Sequence, residues 1–139
     1  MSSFKIFDVA GSGMNAQMVR LNLTASNLAN ADSVSSSIEQ TYKARQPVFA
    51  AQLQNSLERM ASTTAPVKVL GVVESPEPLV MEYAPDHPMA NEDGYIFKPN
   101  VNTVEELANM ISASRSYQNN IEVLNTAKQM LLQTLRMGQ

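Results

Sequence analysis

The sequence has 139 residues and a mass of 15.2 kDa, with 44% hydrophobic and 17% charged residues: one domain's worth of material and enough apolar side chains for a modest core. A net charge of -3, a pI near 5.1 and the lack of any Lys or Arg cluster argue against a nucleic-acid groove or an anionic membrane surface as partner. Cysteine is absent, which excludes disulfides, thiolate nucleophiles and cysteine metal ligands.

Between residue 4 and about residue 31, Phe7, Ala10, Met14, Gln17, Leu21, Thr24, Leu28 and Ala31 follow one another at alternating steps of three and four. That period predicts an amphipathic helix, with Ser3 in position to cap it. Gly11 and Gly13 each cost such a helix about 1 kcal/mol relative to alanine, so it is expected to be marginal alone. Asp8 interrupts the one short apolar run near the start. No cleaved signal peptide is expected, nor any transmembrane span, which needs about 18 consecutive apolar residues.

Ser33, Val34, Ser35, Ser36 and Ser37 read as an irregular, adaptable connection. Residues 41–51 partly alternate and predict a strand with Pro47 near an edge. A polar segment containing Ser62, Thr63 and Thr64 precedes a valine-rich strand over 67–73. Pro76, Pro78, Pro85 and Pro88 then argue against long regular structure. Asn91, Glu92, Asp93 and Gly94 predict a turn in which Gly94 takes positive φ, followed by a short strand over 95–97 that Pro99 ends.

The C-terminal segment carries the strongest pattern. Leu107, Met110, Ser114, Tyr117, Ile121, Leu124, Lys128, Leu131 and Leu135 again step by three and four, predicting one long helix over 104–137. Thr103 is placed to cap it, with Glu106 reaching back, and Gly138 to end it. Such a helix is about 51 Å long, whereas a compact globule of this size has a radius of gyration of about 14 Å. It is expected to overhang its own domain. The remaining faces of both helices are rich in Asn, Gln and Ser rather than Glu and Lys, which suits cover by neighbours better than free solvation.

The expected fold class is therefore α+β. Long N- and C-terminal α-helices pair antiparallel as a coiled-coil-like element, with a small loop-rich β insertion between them. The expected divisions are 1–32 for the first helix, 33–102 for the linker and β-rich part, and 103–139 for the second helix.

Little in the sequence suggests chemistry. His87 is the sole histidine, and Asp86 beside it cannot easily orient it as a triad carboxylate would. Glu92 with Asp93, and Glu105 with Glu106, read as turn and helix-start residues rather than acid or metal pairs. Gly11, Ser12 and Gly13 lack the strand and lysine of a phosphate loop. No catalytic, metal or cofactor-binding residue is expected.

Ala25, Ser26, Asn27, Leu28, Ala29, Asn30, Ala31, Asp32 and Ser33 resemble the Ala-Asn-Asn-Leu-Ala-Asn-x-x-Thr signature of bacterial flagellar rod and hook proteins, departing at Ser26 and Ser33. The run from Glu106 to Gln118, then Asn125 to Met130 and the ending Thr134, Leu135, Arg136, Met137, Gly138, Gln139 are similar to the C-terminal helix of the family's basal-body rod members. Residues 95–102 resemble its Gly-Tyr-x-x-x-Pro-Asn-Val-Asn lead-in. The resemblance covers roughly half the chain, in the family's order.

Membership implies a non-enzymatic structural subunit of the proximal rod, the drive shaft crossing the periplasm. It implies export from the cytoplasm through the flagellar type III apparatus without signal cleavage, and packing into a tube with copies of itself and other rod subunits. It implies no cofactor, no nucleic acid and no direct membrane span. The expected subunit-interface residues are Phe7, Met14, Leu21, Asn27, Leu28 and Asn30 on the first helix. On the second they are Leu107, Met110, Tyr117, Ile121, Leu124, Lys128, Leu131 and Leu135. Lys128, the one charge on its stripe, either snorkels or fixes register against a facing helix. A soluble coiled-coil adaptor without catalytic activity, and a small hydrolase using His87, are the alternative readings.

Overall fold

A computed structural model describes residues 3–52 and 65–138. The chain runs α1 (Ser3–Ala29), β1 (Arg45–Ala51), β2 (Val67–Glu74), β3 (Val80–Tyr83), β4 (Tyr95–Lys98) and α2 (Thr103–Met137). The expected polar segment at Ser62, Thr63 and Thr64 lies outside the described residues.

α1 passes through Gly11 and Gly13 without a break. Its packing against α2 is the most extensive contact between elements, and this offsets the low helix propensity of the two glycines. The pair is antiparallel: the Arg20 guanidinium donates to Asn109 Oδ1 at 2.7 Å, while Gly13, further back on α1, lies against Asn120, further on along α2. α2 starts on a different cap from the expected one. Asn102 supplies it, its Oδ1 accepting from the Val104 amide at 3.1 Å and the Glu105 amide at 3.3 Å, so Thr103 is the first helical residue. Asn and Thr are both good caps and stand side by side, so the pattern alone does not fix which is used. Glu105 and Glu106 follow in the first turn and Arg136 in the last, each complementing the helix dipole.

Between the helices lie two separate two-stranded antiparallel sheets. In the first, Arg45 pairs with Glu74 and Ala51 with Val67, with an irregularity between Val48 and Phe49. Both strands are edges, which accommodates Pro47. This ribbon lies on α1, where the Val67 amide donates to Ser12 Oγ at 3.0 Å. In the second sheet Val80 pairs with Lys98 and Tyr83 with Tyr95, whose rings meet edge to face at 5.1 Å. Strand β3, between Pro78 and Pro85, is an addition to the expected elements. The strand is four residues long, too few to show a period. The turn at residues 91–94 forms as expected, with Gly94 at φ 81°. A Cβ there would sit 2.9 Å from the Tyr83 ring, so both backbone and space require glycine.

The segment after α1, expected as an adaptable connection, is pinned. Ser35 exchanges both backbone hydrogen bonds with Phe97 of β4 at 3.0 and 2.9 Å. Asn100 ties two further segments, accepting from the Ala44 amide and donating to the Glu77 carbonyl, both at 2.8 Å.

Candidate subunit interface

Both helices bury small residues. Ala10 and Ala16 on α1 and Ala113 and Ala127 on α2 are buried, and Gly13 faces Asn120 so closely that a Cβ would stand 2.9 Å from its Nδ2. Small side chains let helix axes approach, because interaxial distance follows side-chain size. On α2 the seam runs through Glu106, Ala113, Asn120 and Ala127, seven residues apart, with Met110, Tyr117, Leu124 and Leu131 half-buried beside it. Glu106 lines a cleft with Arg20, Thr24 and Arg45, at the junction of α2 with α1 and β1.

This seam is displaced from the expected stripe. Of its nine residues, Met110, Ser114, Tyr117, Leu124 and Leu131 are half-buried, while Leu107, Ile121, Lys128 and Leu135 are exposed. The apolar arc of α2 is wider than one partner helix covers, and its arithmetic centre falls between the covered and uncovered flanks. The uncovered flank runs the length of α2 in separate apolar patches: Val104, Leu107 and Ile111, then Ile121, then Leu132 and Leu135 are exposed and fall on steps of three and four, with half-buried Ser114 and the polar Gln118, Asn125 and Lys128 between them. Val104, Ile111 and Leu132 were not on the expected stripe, though the spacing of three and four runs through them too.

On α1, Phe7, Met14, Leu21 and Leu28 are half-buried. Asn27 is 1% exposed and holds β1 to the end of α1. Its Nδ2 donates to the Arg45 carbonyl at 2.9 Å; its Oδ1 accepts from the Arg45 amide at 2.9 Å and the Tyr42 hydroxyl at 2.8 Å. A side-chain amide here does what a neighbouring strand would do. Asn30 is half-buried and donates to the Ser26 carbonyl at 2.8 Å, closing the helix end. These two residues bring the chain together within itself; the exposed flank of α2 does not.

His87 organises a turn, its Nδ1 accepting from the Met89 amide at 3.1 Å. Among the described residues no three His, Asp or Glu side chains converge as metal ligands, and no helix is long and apolar enough to cross a membrane.

Residues 7–35 match the family model described as flagella basal body rod protein, and residues 92–137 match that described as flagellar basal body rod FlgEFG protein C-terminal. The two matches fall on the two packed helical ends. Over its full length the chain is 50% identical to the flagellar basal-body rod protein FlgC of Salmonella typhimurium, covering all of that protein. Identity is 49% to FlgC of Escherichia coli O6:H1 and 44% to FlgC of Buchnera aphidicola subsp. Acyrthosiphon pisum, again over the whole of each chain. The chain belongs to the FlgC family of flagellar basal-body rod proteins. For a structural FlgC-family subunit, the long helix pair with one uncovered apolar flank is the feature that needs a partner.

Proposed function

We propose that the chain is a non-catalytic structural subunit of the proximal rod, built into the tubular drive shaft beside copies of itself and other rod subunits. Residues 1–32 and 103–139 form its axial core, and 33–102 form the part outside. Subunits meet through the faces of α1 and α2 that the intramolecular seam leaves uncovered, including Leu107, Ile121, Lys128 and Leu135. The chain leaves the cytoplasm through the flagellar type III export apparatus without losing a leader and resides in the periplasmic rod.

The observation that carries this reading is the set of exposed apolar residues spread along α2, beside the seam with α1. Whole-length identity to FlgC proteins supplies the context. The test is to replace the gene with a tagged copy in its own host and purify basal bodies. Tag density within the rod of motile cells is the expected result; complete rods lacking the tag, with the chain retained in the cytosol, would overturn it.

A further inference from the structure

The seam between α1 and α2 carries a pattern of size. Glu106, Ala113, Asn120 and Ala127 alternate large and small on α2, seven residues apart. On α1, Ile6, Gly13, Arg20 and Asn27 have the same spacing, and Gly13 is the one that lies against Asn120. In an antiparallel pair a step of seven along α1 meets a step of seven back along α2, with a drift of only about 20° on each helix. Arg20 therefore stands level with the buried Ala113, and its guanidinium reaches one turn beyond, to Asn109 Oδ1. At both levels the larger side chain faces the smaller. Sliding by one heptad keeps the same faces together but sets Asn120 against Ile6 or Arg20, where the room left by Gly13 is missing. It also sets Gly13 against Ala113 or Ala127, which cannot fill the gap, and it breaks the bond from Arg20 to Asn109.

We propose that Gly13, Arg20, Asn109 and Asn120 determine the register in which α1 and α2 pair. Buried methyl groups attract without direction and fit several alignments, so Ala10, Ala16, Ala113 and Ala127 hold the helices together without choosing between them. The size pattern and the one long-range hydrogen bond of the seam make that choice. The competing source of register is the β region, which is tied to the end of α1 where Asn27 bonds Arg45. Register decides what the chain displays: a slip of one heptad carries the exposed Leu107 and Ile121 about 10 Å along α1. It is a property of the single chain and stands whether or not the chain enters a rod.

Cysteine is absent, so spin labels can be placed at chosen sites. Met18 and Val123 are exposed, one on each helix, and with Gly13 level with Asn120 they stand about 12 Å apart along the axis. In the full-length chain carrying labelled Met18→Cys and Val123→Cys, pulsed dipolar spectroscopy should give a single distance. Adding Gly13→Asn sets a large residue on a large one and should create a second population, slipped by about 10 Å along the axis, in which the new side chain lies on Ala113 or Ala127. Adding Asn120→Gly to that chain should restore the single original distance. Arg20→Ala with Asn120→Ala, which only removes atoms and erases the pattern, should also split the distance while circular dichroism stays helical, and it decides the matter if Gly13→Asn does not fold. The original distance alone in the alanine pair would mean that the β region holds the register. A split in Gly13→Asn that Asn120→Gly does not reverse would mean general loosening of the pair; either result overturns the proposal.

Discussion

Asn27 shows how a signature residue acts at the scale of single bonds. Replacing it with alanine removes three hydrogen bonds at once and takes from the Arg45 amide and carbonyl the partner they have in Asn27. Asn27→Ala is therefore expected to cost about 2 to 3 kcal/mol, read as a lower urea midpoint with an unchanged slope. Tyr42→Phe, which removes the hydroxyl that bonds Asn27 and Ser26, should cost about 1 kcal/mol. The sequence places Asn27 on a helix but gives no sign that its amide substitutes for a strand, because Arg45 lies beyond an irregular loop with no period to follow. Lys128 is exposed and lies off the α1–α2 seam. Lys128→Met should leave the isolated chain's urea midpoint unchanged, within about 0.5 kcal/mol. Asn120, opposite Gly13, and Glu106 are the polar residues at seam positions.

At the scale of elements, the two glycines of α1 separate propensity from packing. Nothing lies within 4 Å of a Cβ built on Gly11, so Gly11→Ala should stabilise the chain by about 0.5 to 1 kcal/mol. Gly13 faces Asn120 at close range, and a leucine there must push the helices apart, with an expected cost of about 1 to 3 kcal/mol. Thermal melts of the two variants should move in opposite directions. Leu124→Ala, at a half-buried seam position, should cost about 1 to 2 kcal/mol, below the 2 to 5 typical of full burial. Both helices could be read from the sequence because a period sustained over eight or nine positions outweighs two glycines. The seam could not, since Ala10, Gly13, Ala16, Ala113 and Ala127 give little hydrophobic signal and yet set how closely the helices pack. The β region was partly readable: the valine run gave β2 and Gly94 gave the turn, but β3 and the pairing of Ser35 with Phe97 depend on partners distant in sequence.

For the molecule as a whole, burial is concentrated along the seam and the junctions around Asn27, Ser35 and Asn100, while α2 continues past them. Amide hydrogen exchange of the isolated chain should show protection over 106–127 and fast exchange over 132–137, where every described side chain is exposed. The uncovered flank of α2 is the surface that the account assigns to assembly. The most direct measurement combines Leu107→Asp and Ile121→Asp in the native gene and quantifies the chain in purified basal bodies, with the urea midpoint of the purified variant as the control. Both sites are exposed, so the midpoint is expected to stay within about 0.5 kcal/mol of the wild type. The account predicts that the variant is folded yet absent from basal bodies, in cells that do not swim. Incorporation at wild-type amounts with normal swimming would contradict it.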